Sequence, residues 1–118
     1  MVQAPSVPHP LPEPLADLVA ARFRVLGEPL RIRLLDQLRD GEATVQELQA
    51  AVGASQQNVS KHLGVLLSAG MVARVKRGTS SVYSIADPTV FELCEHVCGG
   101  LRRQLDELDA ILQGAQPA

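Results

Sequence analysis

The sequence predicts a mainly α-helical domain of five helices with one small β-hairpin. Leucines and valines recur three and four residues apart through most of the chain, whereas apolar and polar residues alternate only between Val72 and Ile85. The 118 residues also include only three aromatic side chains and no tryptophan. The core must therefore be aliphatic, which favours helices, and the length is that of one domain.

Proline is concentrated at the start of the chain. Five prolines within residues 1–14 predict an extended, disordered tail, because proline lacks an amide donor. The predicted domain spans residues 15–113, and residues 114–118 form a second disordered tail. No apolar stretch reaches the roughly 20 residues that span a bilayer, and no signal peptide is present. We therefore expect a cytoplasmic protein without membrane contact.

Two helices are predicted before residue 40. The first carries apolar side chains at helical spacing from Leu15 to Leu26 and ends at Gly27. The second begins with Pro29, whose missing N–H costs nothing in a first helical turn. The Asp40-Gly41 turn then ends this second helix.

A pair of short amphipathic helices follows. Thr44 and Glu47 match a capping box at the start of the third helix, which ends at Gly53. Ser55 is the predicted N-cap of the fourth helix, and Gly70 provides its left-handed exit. Two helices joined this closely form a helix-turn-helix, in which the second helix enters a DNA major groove.

A two-stranded hairpin is predicted next, with strands Val72–Arg77 and Ser81–Ile85 around a Gly78-Thr-Ser turn. A hairpin in this place is the wing of a winged helix-turn-helix. After Asp87-Pro88, a long leucine-rich helix continues to near Gln113.

The net charge of −2 is unevenly distributed. Residues 48–86 contain four basic and no acidic residues, so the predicted helix-turn-helix and wing form a cationic segment in an acidic chain. Amides read adenine edges, and hydroxyls and cations contact phosphates. The predicted DNA contacts are Gln56, Gln57, Asn58, Ser60, Lys61, His62, Lys76, Arg77 and Thr79. For His62, a hydrogen bond within the domain is an open alternative.

A protein-docking module and an enzyme are the two alternative functional classes. A protein-docking winged helix has no reason to exclude carboxylates from both the helix-turn-helix and the wing, so the charge pattern favours DNA. An enzyme would need catalytic groups, and the sequence has no paired catalytic carboxylates, nucleophile elbow or phosphate loop. We therefore expect a DNA-binding protein without enzymatic activity.

Several motifs resemble those of the ArsR/SmtB family of bacterial winged-helix repressors. They are Leu26-Gly-Glu-Pro-Leu-Arg-Ile-Arg-Leu-Leu35, Ser55-Gln-Gln-Asn-Val-Ser-Lys-His-Leu63, Leu66-Leu-Ser-Ala-Gly-Met-Val72 and Lys76-Arg-Gly78. The resemblance covers about Leu15 to Leu112. It implies a repressor on a palindromic double-stranded DNA operator that an inducer releases.

The resemblance also implies a homodimer built from the first and last helices. The residues agree, because a domain this small has more apolar surface than one core covers. The expected interface residues are Leu15, Leu18, Val19, Leu93, Val97, Leu101, Leu105 and Leu108.

Two metal sites implied by the resemblance are missing. The third helix, residues 44–52, contains neither Cys nor His. In the last helix, Asp87 matches a zinc-site pattern, but Thr89, Gly100 and Arg103 replace its other ligands.

What remains as a candidate sensor is the pair Cys94 and Cys98. Their i, i+4 spacing places both thiols on one helix face, where they can chelate a thiophilic metal or metalloid ion. His96 lies about 200° around the helix and cannot join them. A third ligand would come from the other protomer, from water or from His9. Thiol oxidation and simple apolar packing, which would leave a regulator without a cysteine sensor, are the open alternatives.

Overall fold

A computed structural model describes residues 7–114 of the protein, in two compact units, residues 7–86 and 87–114. Residues 1–6 and 115–118, which belong to the predicted tails, lie outside the described residues. The N-terminal unit contains, in chain order, α1 (Glu13–Leu26), α2 (Pro29–Leu38), β1 (Ala43–Thr44), α3 (Val45–Val52), α4 (Gln56–Ser68), β2 (Val72–Arg77) and β3 (Ser80–Ile85). The C-terminal unit contains α5 (Thr89–Leu112).

The fold class is confirmed: the described chain has five helices and a small sheet in winged helix-turn-helix order. The sheet differs from the prediction in having three antiparallel strands, in the order β1-β3-β2. The short β1 pairs Ala43 with Tyr83 and Thr44 with Val82. Two residues are too few to produce a visible alternation, so the sequence predicted only the two-stranded wing.

Aliphatic side chains of α2, α3 and α4 build the core of the N-terminal unit. Leu34, Val59, Leu63 and Leu66 are 0% exposed, and Leu48 is 1% exposed. Each fully buried aliphatic side chain contributes about 1.5–3 kcal/mol through removal of apolar surface from water. This packing holds the helix-turn-helix together.

Helix boundaries follow the predicted capping residues. Ser55 Oγ accepts the backbone N–H of Asn58 at 3.2 Å, and Gly53 ends α3 with a left-handed φ of 70°. One boundary differs, because α1 begins at Glu13, two residues before the expected start. Pro14 lies in its first turn, a position where proline is favoured.

The C-terminal unit is dominated by the 24-residue helix α5. Its first turn is held by Asp87, whose carboxylate accepts the backbone N–H of Thr89 at 3.1 Å and also its hydroxyl. Among the described residues, none of the helices is both long enough and apolar enough to span a membrane.

The capping box at Thr44 and Glu47 is formed as predicted. Thr44 Oγ1 accepts the backbone N–H of Glu47 at 3.2 Å, and the Glu47 carboxylate accepts the backbone N–H of Thr44 at 2.9 Å. Two hydrogen bonds lower the pKa of Glu47 below its usual 4.5: the bond from the Thr44 backbone has the larger effect, and the bond with the Thr44 hydroxyl has the smaller one. Because Thr44 also pairs with Val82, this box joins the sheet to α3.

The capping box predicts a pH-dependent contribution to stability. Since the folded pKa of Glu47 is depressed, its contribution is complete above about pH 4.5 and disappears as the pH falls through the lower folded value. Glu47→Gln should therefore lower the unfolding free energy at pH 7, and the difference from wild type should shrink in acid. Thr44→Val should cost about 1 kcal/mol at pH 7 and less in acid, because it also removes the hydroxyl that helps to lower the pKa of Glu47.

Urea unfolding at pH 7 and at pH 3 measures these effects. Glu28→Gln is the matched control, because Glu28 occupies the N-cap of α2 without making a side-chain capping bond. Equal losses in the Glu28 and Glu47 variants at pH 7 would contradict the role of the capping box.

Candidate nucleic-acid interface

The buried face of α4 determines which of its side chains are exposed. Val59, Leu63 and Leu66 are fully buried on one side. The opposite side, in the N-terminal half of the helix, is exposed and contains five of the residues predicted to contact DNA. They are Gln56, Gln57, Asn58, Ser60 and Lys61.

The wing presents a second exposed polar group. Lys76, Arg77 and Thr79 are all exposed around the loop between β2 and β3. Arg77 pairs with Ser80, so the loop is the two residues Gly78 and Thr79 and not the predicted three-residue turn. Gly78 has a φ of 63°, as the first central residue of a type II′ hairpin loop requires. This tight loop leaves the two cations at the end of the hairpin.

A carboxylate reaches this cationic surface from outside the 48–86 segment. Arg77 Nη1 donates to Oε1 of Glu42, the residue immediately before β1, in an exposed ion pair. Charges counted along the chain do not predict this pair, because its two residues are 35 positions apart. The pairing of β1 with β3 brings Glu42 to the wing. Part of the positive charge of Arg77 is thus neutralised within the protein.

His62 differs from the other predicted DNA contacts in being buried. It is only 7% exposed, and its Nδ1 accepts a hydrogen bond from Nε of Arg31 at 3.0 Å. The alternative reading, a hydrogen bond within the domain, is the one that the structure shows. Arg31 uses its guanidinium for this bond and for one to the Val25 carbonyl.

On α5, Cys94 is half-buried and Cys98 is exposed. Their spacing within a regular helix places them on one face, as predicted. Within residues 7–114, no three or more His, Cys, Asp or Glu side chains are grouped so that they could hold a metal ion. The described part of one protomer therefore offers two thiols here, without a third His, Cys, Asp or Glu grouped with them.

The apolar stripe of α5 is largely exposed. Val97, Leu101, Leu105 and Leu108 are 52–65% exposed, whereas Leu93 is half-buried. Two shallow grooves, of ≈ 380 and ≈ 390 Å³, run along the helix and share Leu101; Cys98 lines the first of them. A helix with this exposed stripe has a face that is not covered within its own unit.

The apolar stripe of α1, in the N-terminal unit, is also exposed. Leu18 is 69% and Val19 39% exposed, and Leu15 is half-buried. Phe23, which the sequence analysis did not assign to an interface, is 52% exposed on the same helix. Its place four residues after Val19 is the signal that would have indicated it.

A helix-turn-helix followed by a hairpin with exposed cations defines a winged-helix DNA-binding protein. Residues 26–75 match a family model described as a helix-turn-helix domain. The chain is 40% identical to the HTH-type transcriptional regulator Rv0081 of Mycobacterium tuberculosis over 102 residues, 86% of this chain and 90% of that protein. The chain belongs to the ArsR/SmtB family of transcriptional regulators.

Solved structures agree with this family. The crystal structure of Rv0081 superimposes with a TM-score of 0.75, covering 84% of this chain and 100% of that one at 40% identity. A homodimeric winged helix-turn-helix domain from Mycobacterium bovis, a possible ArsR-family regulator, has a TM-score of 0.68 at 31% identity and covers 79% of this chain and 86% of its own. The related proteins are regulators and not enzymes, in agreement with the sequence analysis.

One further relative has a name that states its role. A probable mercury resistance operon repressor from Streptomyces lividans is 39% identical over 77 residues, which are 65% of this chain and 62% of that protein.

The Glu42–Arg77 ion pair predicts that Glu42 weakens DNA binding. Glu42→Gln should free Arg77 for phosphate and strengthen binding to duplex DNA by up to about fivefold at low salt, since exposed ion pairs are worth about 0.2–1 kcal/mol. Fluorescence anisotropy with a labelled duplex measures the change. Glu13→Gln, at the start of α1, alters net charge equally and is the control. An equal gain in both variants would indicate a net-charge effect.

Proposed function

We propose that this regulator represses transcription as a homodimer that reads a palindromic DNA operator. The observation that carries the proposal is the exposed set of amides and cations on α4 and the wing. Within this set, Gln56, Gln57 and Asn58 supply paired donors and acceptors for base edges, and Lys61 and Lys76 supply positive charge for phosphates. Direct readout of bases by α4 and anchoring by the wing are the two parts of the mechanism.

The homodimer is supported by the exposed stripes of α1 and α5. Apolar patches on this scale are usually covered by another molecule, and a second copy of the chain offers the same stripe for an isologous contact. The Mycobacterium bovis relative is described as homodimeric. The mass of the protein in solution should be near twice 12.6 kDa. A two-fold dimer would match an inverted-repeat operator.

Reversal of charge on α4 and the wing tests the DNA-binding surface. Lys61→Glu combined with Arg77→Glu should weaken duplex binding by about 100-fold or more, because attraction to phosphate becomes repulsion. For the wild type, the logarithm of affinity should fall linearly with the logarithm of salt concentration.

Gel shift and anisotropy, with the solution mass recorded for each variant, measure this loss. Arg24→Glu combined with Arg102→Glu is the matched control, because it changes net charge by the same amount on α1 and α5. Unchanged binding by the Lys61 and Arg77 variant, with an intact dimer, would refute these residues as contacts.

For the inducer, we propose a thiophilic metal or metalloid ion bound by Cys94 and Cys98. An intrahelical disulfide requires Cβ atoms about 3.5–4.5 Å apart, whereas i and i+4 residues of a helix keep theirs about 5–6 Å apart. A shared soft ion fits the intact helix better, because both sulfurs can approach it from one face. The name of the Streptomyces lividans relative refers to mercury, which forms a soft, thiophilic ion, and this supports the proposal.

Completion of the ion site requires a ligand from outside the described protomer. The partner subunit or a solvent molecule can provide it. Because the same helix carries the proposed dimer contacts, ion binding would favour one arrangement of the two protomers. Release of DNA follows if that arrangement spaces the two recognition helices poorly for the operator.

Replacement of both thiols tests the sensor. Cys94→Ser combined with Cys98→Ser should abolish the ion response and leave DNA affinity within about twofold of wild type, because neither residue lies on α4 or the wing. Titration with cadmium, arsenite and hydrogen peroxide measures thiolate absorbance and DNA release together. His96→Asn is the control, since His96 lies on another side of the helix.

Three results would contradict the ion site. They are a double variant that still responds, a wild type that responds to none of the three reagents, and a wild type that responds only to peroxide. The second result would favour cysteines that serve packing alone, and the third would favour thiol oxidation.

A further inference from the structure

Two arginines connect α4 to the helices that precede it. Arg31 of α2 donates from Nε to Nδ1 of His62 at 3.0 Å and from Nη1 to the Val25 carbonyl, in the last turn of α1, at 3.2 Å. Arg22 of α1 donates from Nη1 to the Ala69 carbonyl, at the C-cap of α4, at 2.8 Å. Both arginines thus reach carbonyls at helix C-termini, where a positive charge is favoured.

His62 is an unusual residue for its place in the core. It is 7% exposed on the side of α4 that also buries Val59, Leu63 and Leu66. A buried polar side chain costs free energy unless it is hydrogen-bonded, and an apolar residue would pack there without that requirement. Within residues 7–114, no buried side-chain nitrogen or oxygen lacks a partner, so the bond from Arg31 meets the requirement.

The bond between Arg31 and His62 is directional. Nδ1 accepts the hydrogen bond from Arg31 Nε–H, so the ring carries its own proton on Nε2, and the cationic donor strengthens the bond. Apolar packing, by contrast, is non-directional and constrains the rotation of a helix about its axis less strictly. The pair therefore constrains α4 in a way that its aliphatic stripe does not.

We propose that Arg31 and His62 are positioning residues for DNA recognition, with Arg22 holding the far end of α4. Their bonds set the angle at which the exposed N-terminal half of α4 is presented. Lys61 precedes His62 directly, so any rotation at His62 moves Lys61 and the amides before it. Neither Arg31 nor His62 contacts DNA in this scheme. The inference rests on the proposed DNA-binding function and adds two residues to it.

Arg31→Lys is the most discriminating variant, because it keeps the positive charge but loses the planar fork that makes both bonds. The first probe is a duplex selected by the wild-type protein from a random DNA library. The second is a shuffled duplex of the same composition. Arg33→Lys, on the exposed side of the same helix, is the matched control.

The preference for the selected over the shuffled duplex should fall about tenfold in Arg31→Lys and in His62→Phe. The affinity for the shuffled duplex and the salt slope should stay unchanged, because the cations that contact phosphate are intact. The double variant should lose no more of this preference than either single variant, since both changes break the same hydrogen bond. Nitrogen-15 shifts of the His62 ring should show an accepting Nδ1 that is lost in Arg31→Lys.

Several outcomes would overturn the proposal. A parallel loss of affinity for both duplexes, with the preference unchanged, would make Arg31 a direct phosphate contact. A lower melting temperature with unchanged preference would make the pair purely structural. If His62→Phe fails to fold, the duplex preference of Arg31→Lys and the nitrogen-15 shifts of the His62 ring are sufficient to test the proposal. A wild type that selects no duplex would refute the proposed function itself, and this inference with it.

Discussion

The rest of the N-terminal unit depends on burial of the aliphatic stripe along α4. Because Val59, Leu63 and Leu66 are removed from water, the helix cannot turn another face outward without exposing them. The same stripe seats α4 against α2 and α3, whose Leu34 and Leu48 are buried with it. The identity of the exposed face, and hence the candidate nucleic-acid interface, is a consequence of core packing.

Polar contacts add further constraints to the arrangement that core packing gives the N-terminal unit. The capping box at Thr44 and Glu47 makes β1 continuous with α3, and the pairing of β1 with β3 places Glu42 beside Arg77. Hydrogen bonds from Arg22 and Arg31 reach α4 at its C-cap and at its buried histidine. Side chains of α1 and α2 therefore contact α4, and the wing is contacted by the residue that precedes β1.

The parts of this structure that repeat with a helical or strand period were predictable from the sequence. The stripes, the caps at Thr44 and Ser55, and the exposed amides of α4 all follow from local spacing. The parts that depend on contacts distant in the chain were not. The two-residue β1, the Glu42–Arg77 pair and the bond between Arg31 and His62, 31 residues apart, arise only when the chain is folded. For His62 the sequence left a DNA contact and a hydrogen bond within the domain open, and the bond from Arg31 becomes visible only in the folded chain.

Tyr83 has a consequence for spectroscopy. It is the single tyrosine of a chain without tryptophan, it lies in the central strand β3 between Ala43 of β1 and Arg74 of β2, and it is 6% exposed. Tyrosine emission from the native protein therefore arises from one buried ring in the middle of the sheet. Movement of the wing strands is open to observation through this intrinsic fluorophore, without an attached label or an engineered chromophore.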